Sequence, residues 1–212
     1  RSVPETVDHT DPRATPATVD DSDADPSEVV VETPLANPTF VAAFSTQALT
    51  VLAQYALLLI TPMLLDDRGW SSGEIGMAVT ALTLGMIVMS PTGGRLGDEW
   101  GRRRPVMLGL VGATLAVAVS AAFGTDVASA LLIATLLGFG LGYGIASPSI
   151  LTAGIEAAPE HRVGLAAGLL SMSRYVGSII ASVLLAVVVS EDAEGIGTML
   201  AISTIALGIS LL

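Results

Sequence analysis

The stretch Val127–Ile155, VASALLIATLLGFGLGYGIASPSILTAGI, runs without a single charged side chain. A helix rises about 1.5 Å per residue, so a run of this length covers the roughly 30 Å of bilayer hydrocarbon with residues to spare. A helix packed in a water-soluble core would show a polar face, and this one shows none. Outward in both directions the pattern recurs. Apolar segments occupy 39–65, 74–93, 105–124, 127–155, 163–189 and 196–212, with polar connections such as Asp66-Asp67-Arg68-Gly69-Trp70 and Ser190-Glu191-Asp192-Ala193-Glu194 between them. The first five reach the spanning length of about 20 residues, and the sixth stands at its lower limit. The sequence therefore predicts an all-α membrane protein with six transmembrane helices over residues 39–212.

Composition agrees. Of 212 residues 51% are apolar and 14% charged, with mean hydropathy +0.70. A soluble domain carries about 25% charged residues, so a soluble fold, a disordered chain and a nucleic-acid binder are all excluded. Residues 1–38 differ from the rest: they hold nine acids, two arginines, six of the eleven prolines and no aromatic residue. Such a segment cannot bury enough apolar surface to offset its ordering entropy, and a disordered acidic linker or tail is expected over 1–38. It lacks the basic start and apolar core of a signal peptide. With no cysteine, disulfides and thiolate metal sites are excluded. His9 and His161 stand alone, so neither a metal nor a cofactor is expected. All basic residues are arginine; a salt-adapted source and codon bias explain this equally well. The chain opens on Arg1 and stops inside an apolar run at Leu212, which reads as a piece of a longer polypeptide.

Arginine placement sets the expected orientation, since basic residues concentrate in cytoplasmic loops. Arg95, Arg102, Arg103, Arg104 and Arg162, with Arg1 and Arg13 of the tail, fall on one side; Arg68 falls on the other among Asp66, Asp67, Asp126, Glu191, Asp192 and Glu194. The tail and the arginine-rich connections are thus expected in the cytoplasm, in a multi-pass protein of the cell membrane. Trp70 and Trp100 fall at opposite interfaces.

Between the second and third segments lies Gly94-Arg95-Leu96-Gly97-Asp98-Glu99-Trp100-Gly101-Arg102-Arg103-Arg104. Gly94 and Gly101 permit a tight turn with close helix approach. Asp98 can pair with arginines or with the positive N-terminus of a neighbouring helix, a clasp able to hold a gate shut. An ordinary positive-inside loop explains the arginines but not the glycine–aspartate–glycine spacing. The string resembles the signature loop of the major facilitator superfamily, G-x-x-x-D-[RK]-x-G-[RK]-[RK]. Gly94, Asp98, Gly101, Arg102 and Arg103 match, and Glu99 stands where the family has a basic residue. Residues 137–185 are similar to the carboxyl-terminal half of drug:proton antiporters in that superfamily, through Pro148, Pro159, Arg162, Gly164, Ala166, Gly168, Ser173, Arg174 and Gly177. Pro34–Phe40 resembles the lead-in to that half. The fourth-span arginine and the G-P-x-x-G-G string of the amino-terminal half are absent. The resemblance covers about residues 34–212. It implies one six-helix half of a transporter, partnered by an amino-terminal six-helix half, that rocks around a midplane site and exports a small molecule in exchange for protons. A metabolite uptake carrier would share the loop. The intramembrane protease strings G-x-S-G and H-E-x-x-H are absent, so no enzyme is expected; a non-transporting scaffold stays open.

Within the spans, Gly138/Gly142 and Gly140/Gly144 form two small-xxx-small faces for close helix approach. Gly164 and Gly168 repeat the device, and Ser173, Gly177 and Ala181 continue it on the next stretch. Pro148 removes a backbone bond and should bend its helix, which serves packing or gating equally. Arg174 follows Val163 by eleven positions, about 16 Å along the helix and close to mid-membrane. A guanidinium there costs at least about 2.5–3.5 kcal/mol on insertion scales. It either faces a partner or wet cavity, or snorkels to the interface. Gln54, Tyr55 and Tyr143 are the other large polar groups at depth, each a candidate for substrate contact or for a bond between helices.

Overall fold

The structure, a computed structural model, describes residues 34–123, 128–189 and 195–211. The expected disorder of residues 1–33 lies outside the described residues, as do the connections 124–127 and 190–194. The described residues form α1 (Pro38–Asp66), α2 (Ser72–Trp100), α3 (Arg103–Phe123), α4 (Ser129–Glu156), α5 (Val163–Val189) and α6 (Gly195–Ile209). Local chemistry sets the boundaries. The Asn37 side chain accepts from the Thr39 amide at 2.9 Å with Pro38 at the first helical position, which caps α1. Ser71 and Glu74 form a reciprocal capping box that starts α2. Gly69 and Gly101, with φ of 77° and 80°, make the turns after α1 and α2 in a conformation that side chains resist.

Two sequence expectations change. Residues 34–38, placed in the acidic segment, form a short 3₁₀ turn at Pro34–Ala36 followed by the α1 cap, because Asn37 and Pro38 supply a helix start. The signature stretch is mostly helix rather than loop. No proline interrupts residues 94–100, so α2 runs on to Trp100 and stops only where Gly101 takes a positive φ. With 29 residues α2 is about 43 Å long, and its last turns carry their charges beyond the hydrocarbon. Six apolar helices are present among the described residues, and α1 to α5 are long and apolar enough to span. The 15 residues of α6 rise about 22 Å, short of the hydrocarbon thickness.

Inside a bilayer helices gain little from hiding apolar surface, so close backbone packing must hold them. The helix α4 lies between α2 and α3 and uses both glycine faces. A Cβ at Gly140 would strike the Leu82 carbonyl oxygen of α2, and one at Gly144 would lie 2.9 Å from the Met86 carbonyl oxygen. The partner helix reciprocates: a Cβ at Gly85 would lie 2.7 Å from the Leu141 amide nitrogen, and one at Gly93 would lie 2.7 Å from Ile145 Cα. On the other face Gly138 meets Ala116 of α3, while Gly142 and Gly109 press backbone to backbone. Buried Ser120 and Thr135 add a hydroxyl–hydroxyl bond between α3 and α4.

The same arrangement occurs once more. As α4 packs on α2 and α3, so α1 packs on α5 and α6. Exchanging α1–α3 with α4–α6 maps one set of contacts onto the other, as an internal three-helix repeat would. Gly177 lies against the α1 backbone at Ala48 and Leu52, and buried Ser173 and Ala181 share its face. Gly164 and Gly168 do not repeat the device. A Cβ at either meets nothing within 4 Å, because both lie on the exposed side of α5. Pro148 stands inside an unbroken α4, as Pro62 does in α1 and Pro91 in α2.

Gly140→Ala and Gly142→Ala each place a methyl group on a neighbouring backbone, and each should lower the stability of the detergent-solubilised protein by about 1–3 kcal/mol. Gly164→Ala and Gly168→Ala gain at most about 1 kcal/mol of helix propensity and should melt at or slightly above wild type. Thermal melts of the four variants check this, and equal losses in all four would contradict it.

Candidate functional site

At one end of the bundle Arg102 joins two helices. It lies between α2 and α3, and its guanidinium donates to Asp98 Oδ1 of α2 at 2.7 Å. Its other edge reaches the final residue of α4, with Nη2 2.9 Å from Glu156 Oε1 and Nε 3.4 Å from Glu156 Oε2. The planar fork of arginine makes the paired contact that a lysine could not. Hydrogen bonds donated to Glu156, and secondarily to Asp98, raise the pKa of the Arg102 guanidinium above its already high ordinary range. Gly97 keeps the joint tight: a Cβ there would lie 2.6 Å from Ser149 Oγ and 3.2 Å from Arg102 Nη1.

The clasp read from the sequence is thus present with altered membership. Asp98 and Arg102 belong to it, and Gly101 provides its turn. Gly94 gives no close approach, for nothing lies within 4 Å of its missing Cβ; Gly93 and Gly97 take that role. Arg103 is exposed and makes no ion pair among the described residues. The sequence reading missed Glu156. Its one signal was position, an acid closing a long apolar run at the arginine-bearing end. Nearby, Asn37 donates to the Ala157 carbonyl at 2.8 Å and ties the start of α1 to the end of α4. At the opposite end Arg68 Nη1 donates to Ser129 Oγ at 3.0 Å and binds the α1–α2 turn to the start of α4.

The mid-membrane candidates divide into two pairs. Tyr143 is 1% exposed and accepts a 2.7 Å hydrogen bond from Gln47 Nε2, so it serves the α1–α4 contact. Gln47, unremarked in the sequence, supplies that bond from two turns before Gln54. Gln54 is half-buried and directs its amide to Met86 Sδ of α2 at 3.7 Å. Tyr55 and Arg174 do come together. With Val51, Ser171, Tyr175 and Ser178 they line a cavity of about 370 Å³ between α1 and α5. The cavity offers a guanidinium, two phenols and two hydroxyls on helices otherwise clothed in aliphatic side chains. No carboxylate pairs with Arg174 among the described residues.

Residues 43–212 match the sequence profile of the Major Facilitator Superfamily. Among curated proteins the chain is 28% identical over 145 residues to the multidrug resistance protein Stp of Mycobacterium tuberculosis, covering 68% of the chain and 27% of Stp. It is 28% identical over 156 residues to the MFS-type transporter YvkA of Bacillus subtilis, covering 72% of the chain and 34% of YvkA. The drug efflux pump JefA of M. tuberculosis is 28% identical over 134 residues, 63% of the chain and 26% of JefA. The aligned part of the chain thus spans between a quarter and about a third of each of these relatives.

Glu156 carries the long-range half of the clasp, so Glu156→Gln should speed amide exchange at the end of α4 and around Gly101 several-fold. Asp98→Asn should act less, since Asp98 belongs to the adjoining helix. Exposed ion pairs contribute little to global stability, so melting should barely move. Hydrogen-exchange mass spectrometry checks this, and unchanged exchange in both variants would contradict the assignment.

Proposed function

The chain belongs to the major facilitator superfamily, and from that membership we propose that it forms the carboxyl-terminal six-helix half of a transporter exporting small organic molecules in exchange for protons. The observation that carries this reading is the cavity around Arg174. A bilayer-spanning helix retains a guanidinium near its middle only where polar partners or water offset the cost. Here Arg174, exposed in this half, shares an open cavity with Tyr55, Tyr175, Ser171 and Ser178. The names of Stp and JefA, a multidrug resistance protein and a drug efflux pump, support export as its direction.

In this proposal the exposed faces of α2 and α5, with Leu84, Ile87 and Val88 on one and Tyr175, Ile179 and Val183 on the other, meet the amino-terminal half. The acidic segment before Pro34 links the two halves. Transport proceeds as the halves rock about the cavity. The Arg102 clasp faces the cytoplasm, following the arginine asymmetry, and steadies one of the two states. Among the described residues the acids stand near helix ends or in turns, so the proton-carrying carboxylate lies on the other half.

The test uses the complete transporter in inside-out vesicles, with extrusion of a fluorescent aromatic dye driven by an imposed proton gradient. Arg174→Lys keeps the charge but loses the planar fork, and should insert normally while transport falls about tenfold. Arg174→Leu removes an insertion cost of about 2.5–3.5 kcal/mol, so it should reach the membrane in full amount yet abolish coupled transport. A fully active leucine variant would remove Arg174 from the mechanism.

A further inference from the structure

The residues at the start of α3 that take no part in the clasp form a second site. Trp100, Arg103, Arg104, Met107 and Leu108 line a groove of about 490 Å³ on the outside of the bundle. Arg103 and Arg104 are exposed, and no carboxylate pairs with either among the described residues, although Asp98 and Glu156 satisfy the neighbouring Arg102. Below Arg104 the outer face of α3 continues as Leu108, Val111, Leu115 and Val119, each more than two-fifths exposed. Their spacing of three and four residues makes one straight apolar track that begins beneath the arginine pair. Trp100, 48% exposed, stands at the rim, where an indole suits the boundary between headgroups and acyl chains.

We infer that this groove binds an anionic phospholipid, its phosphate held by Arg103 and Arg104 and an acyl chain lying along the α3 track. Charge and shape select this occupant. Two exposed guanidiniums lining one groove, with no carboxylate paired to either among the described residues, demand an anion, and their forked donors suit phosphate oxygens. The apolar track directly below demands a hydrocarbon tail on the same molecule. A free phosphate ion would satisfy only the arginines, and a zwitterionic lipid would bring its own cation into the same field. The inference is independent of the proposed transport activity, since it concerns only the outer face of α3.

The experiment uses the complete protein in phosphatidylcholine vesicles, with brominated-chain phosphatidylglycerol or brominated-chain phosphatidylcholine added at equal mole fractions. The Trp100 signal is the difference between the fluorescence of the wild type and that of Trp100→Phe. Brominated phosphatidylglycerol should quench that signal preferentially, with an apparent affinity roughly five-fold higher per arginine near the surface. Arg103→Gln/Arg104→Gln should abolish the preference, and Arg103→Lys/Arg104→Lys should retain most of it. In the wild type the preference should shrink as salt rises, which tests the electrostatic origin even if the glutamine variant fails to fold. Millimolar inorganic phosphate should not displace the lipid. Equal quenching by the two lipids, a preference that survives in the glutamine variant, one insensitive to salt, or displacement by free phosphate would each overturn the inference.

Discussion

The bundle rests on backbone-to-backbone contact along α4. In water, burial of apolar side chains would drive helices together, but lipid tails solvate leucine as well as another helix does. What remains is dispersion between closely packed atoms, which fades within a fraction of an ångström of added separation. Gly140 and Gly144 bring α2 to that distance, and Gly138 and Gly142 do the same for α3. Toward α2 the partners are themselves glycines, Gly85 and Gly93, and toward α3 Gly142 meets Gly109, whereas Gly138 meets the methyl group of Ala116. In the second packing unit, α1 against α5, Gly177 makes the same close approach to the α1 backbone, and the small side chains of Ser173 and Ala181 are buried beside it.

The charges are arranged around this dry frame. Arg102 joins α2 to α4 at one end, and Arg68 reaches Ser129 at the start of α4 at the other. Both joints lie where water competes, and the glycine contacts lie where it does not. The Arg102 joint is thus a contact between charges at the helix ends, separate from most of the glycine packing beneath it. Among the described residues, Gln47 and Tyr143 form a buried polar pair whose hydrogen bond holds α1 to α4. Arg174 differs. It opens to a cavity shared with two tyrosines, and there the frame has room for chemistry.

Much of this was legible in the sequence because helical periodicity is strict. Glycines spaced by four must share a face, so the two faces of α4 followed from Gly138/Gly142 and Gly140/Gly144 alone. What was not legible depended on which side of a helix has a neighbour. Gly94 matches a family pattern, yet its face is open, while Gly93 and Gly97, offset by a single residue or three, meet α4. Gly164 and Gly168 have the right spacing on the wrong side. Tyr143 and Gln54 looked alike as polar groups at depth, and only the packing of α1 against α4 and α2 showed both to be bonded between helices. Glu156 could not be tied to Arg102 before α2 and α4 were known to lie side by side. The helical continuation to Trp100 was hidden because charge was read as loop, when helix ends outside the hydrocarbon carry charge freely.

The two-faced contact of α4 can be measured directly, since the chain contains no native cysteine. A Cβ at Gly138 would lie 3.0 Å from Ala116 Cβ of α3, whereas one at Gly140 points to Leu82 of α2. In membranes treated with a mild oxidant, Ala116→Cys/Gly138→Cys should form a disulfide rapidly and nearly completely. The companion variant Ala116→Cys/Gly140→Cys should stay reduced under the same conditions. Cross-linking of the companion in place of the first pair would mean that α4 is turned by a face, and the account of how this bundle holds together would fail.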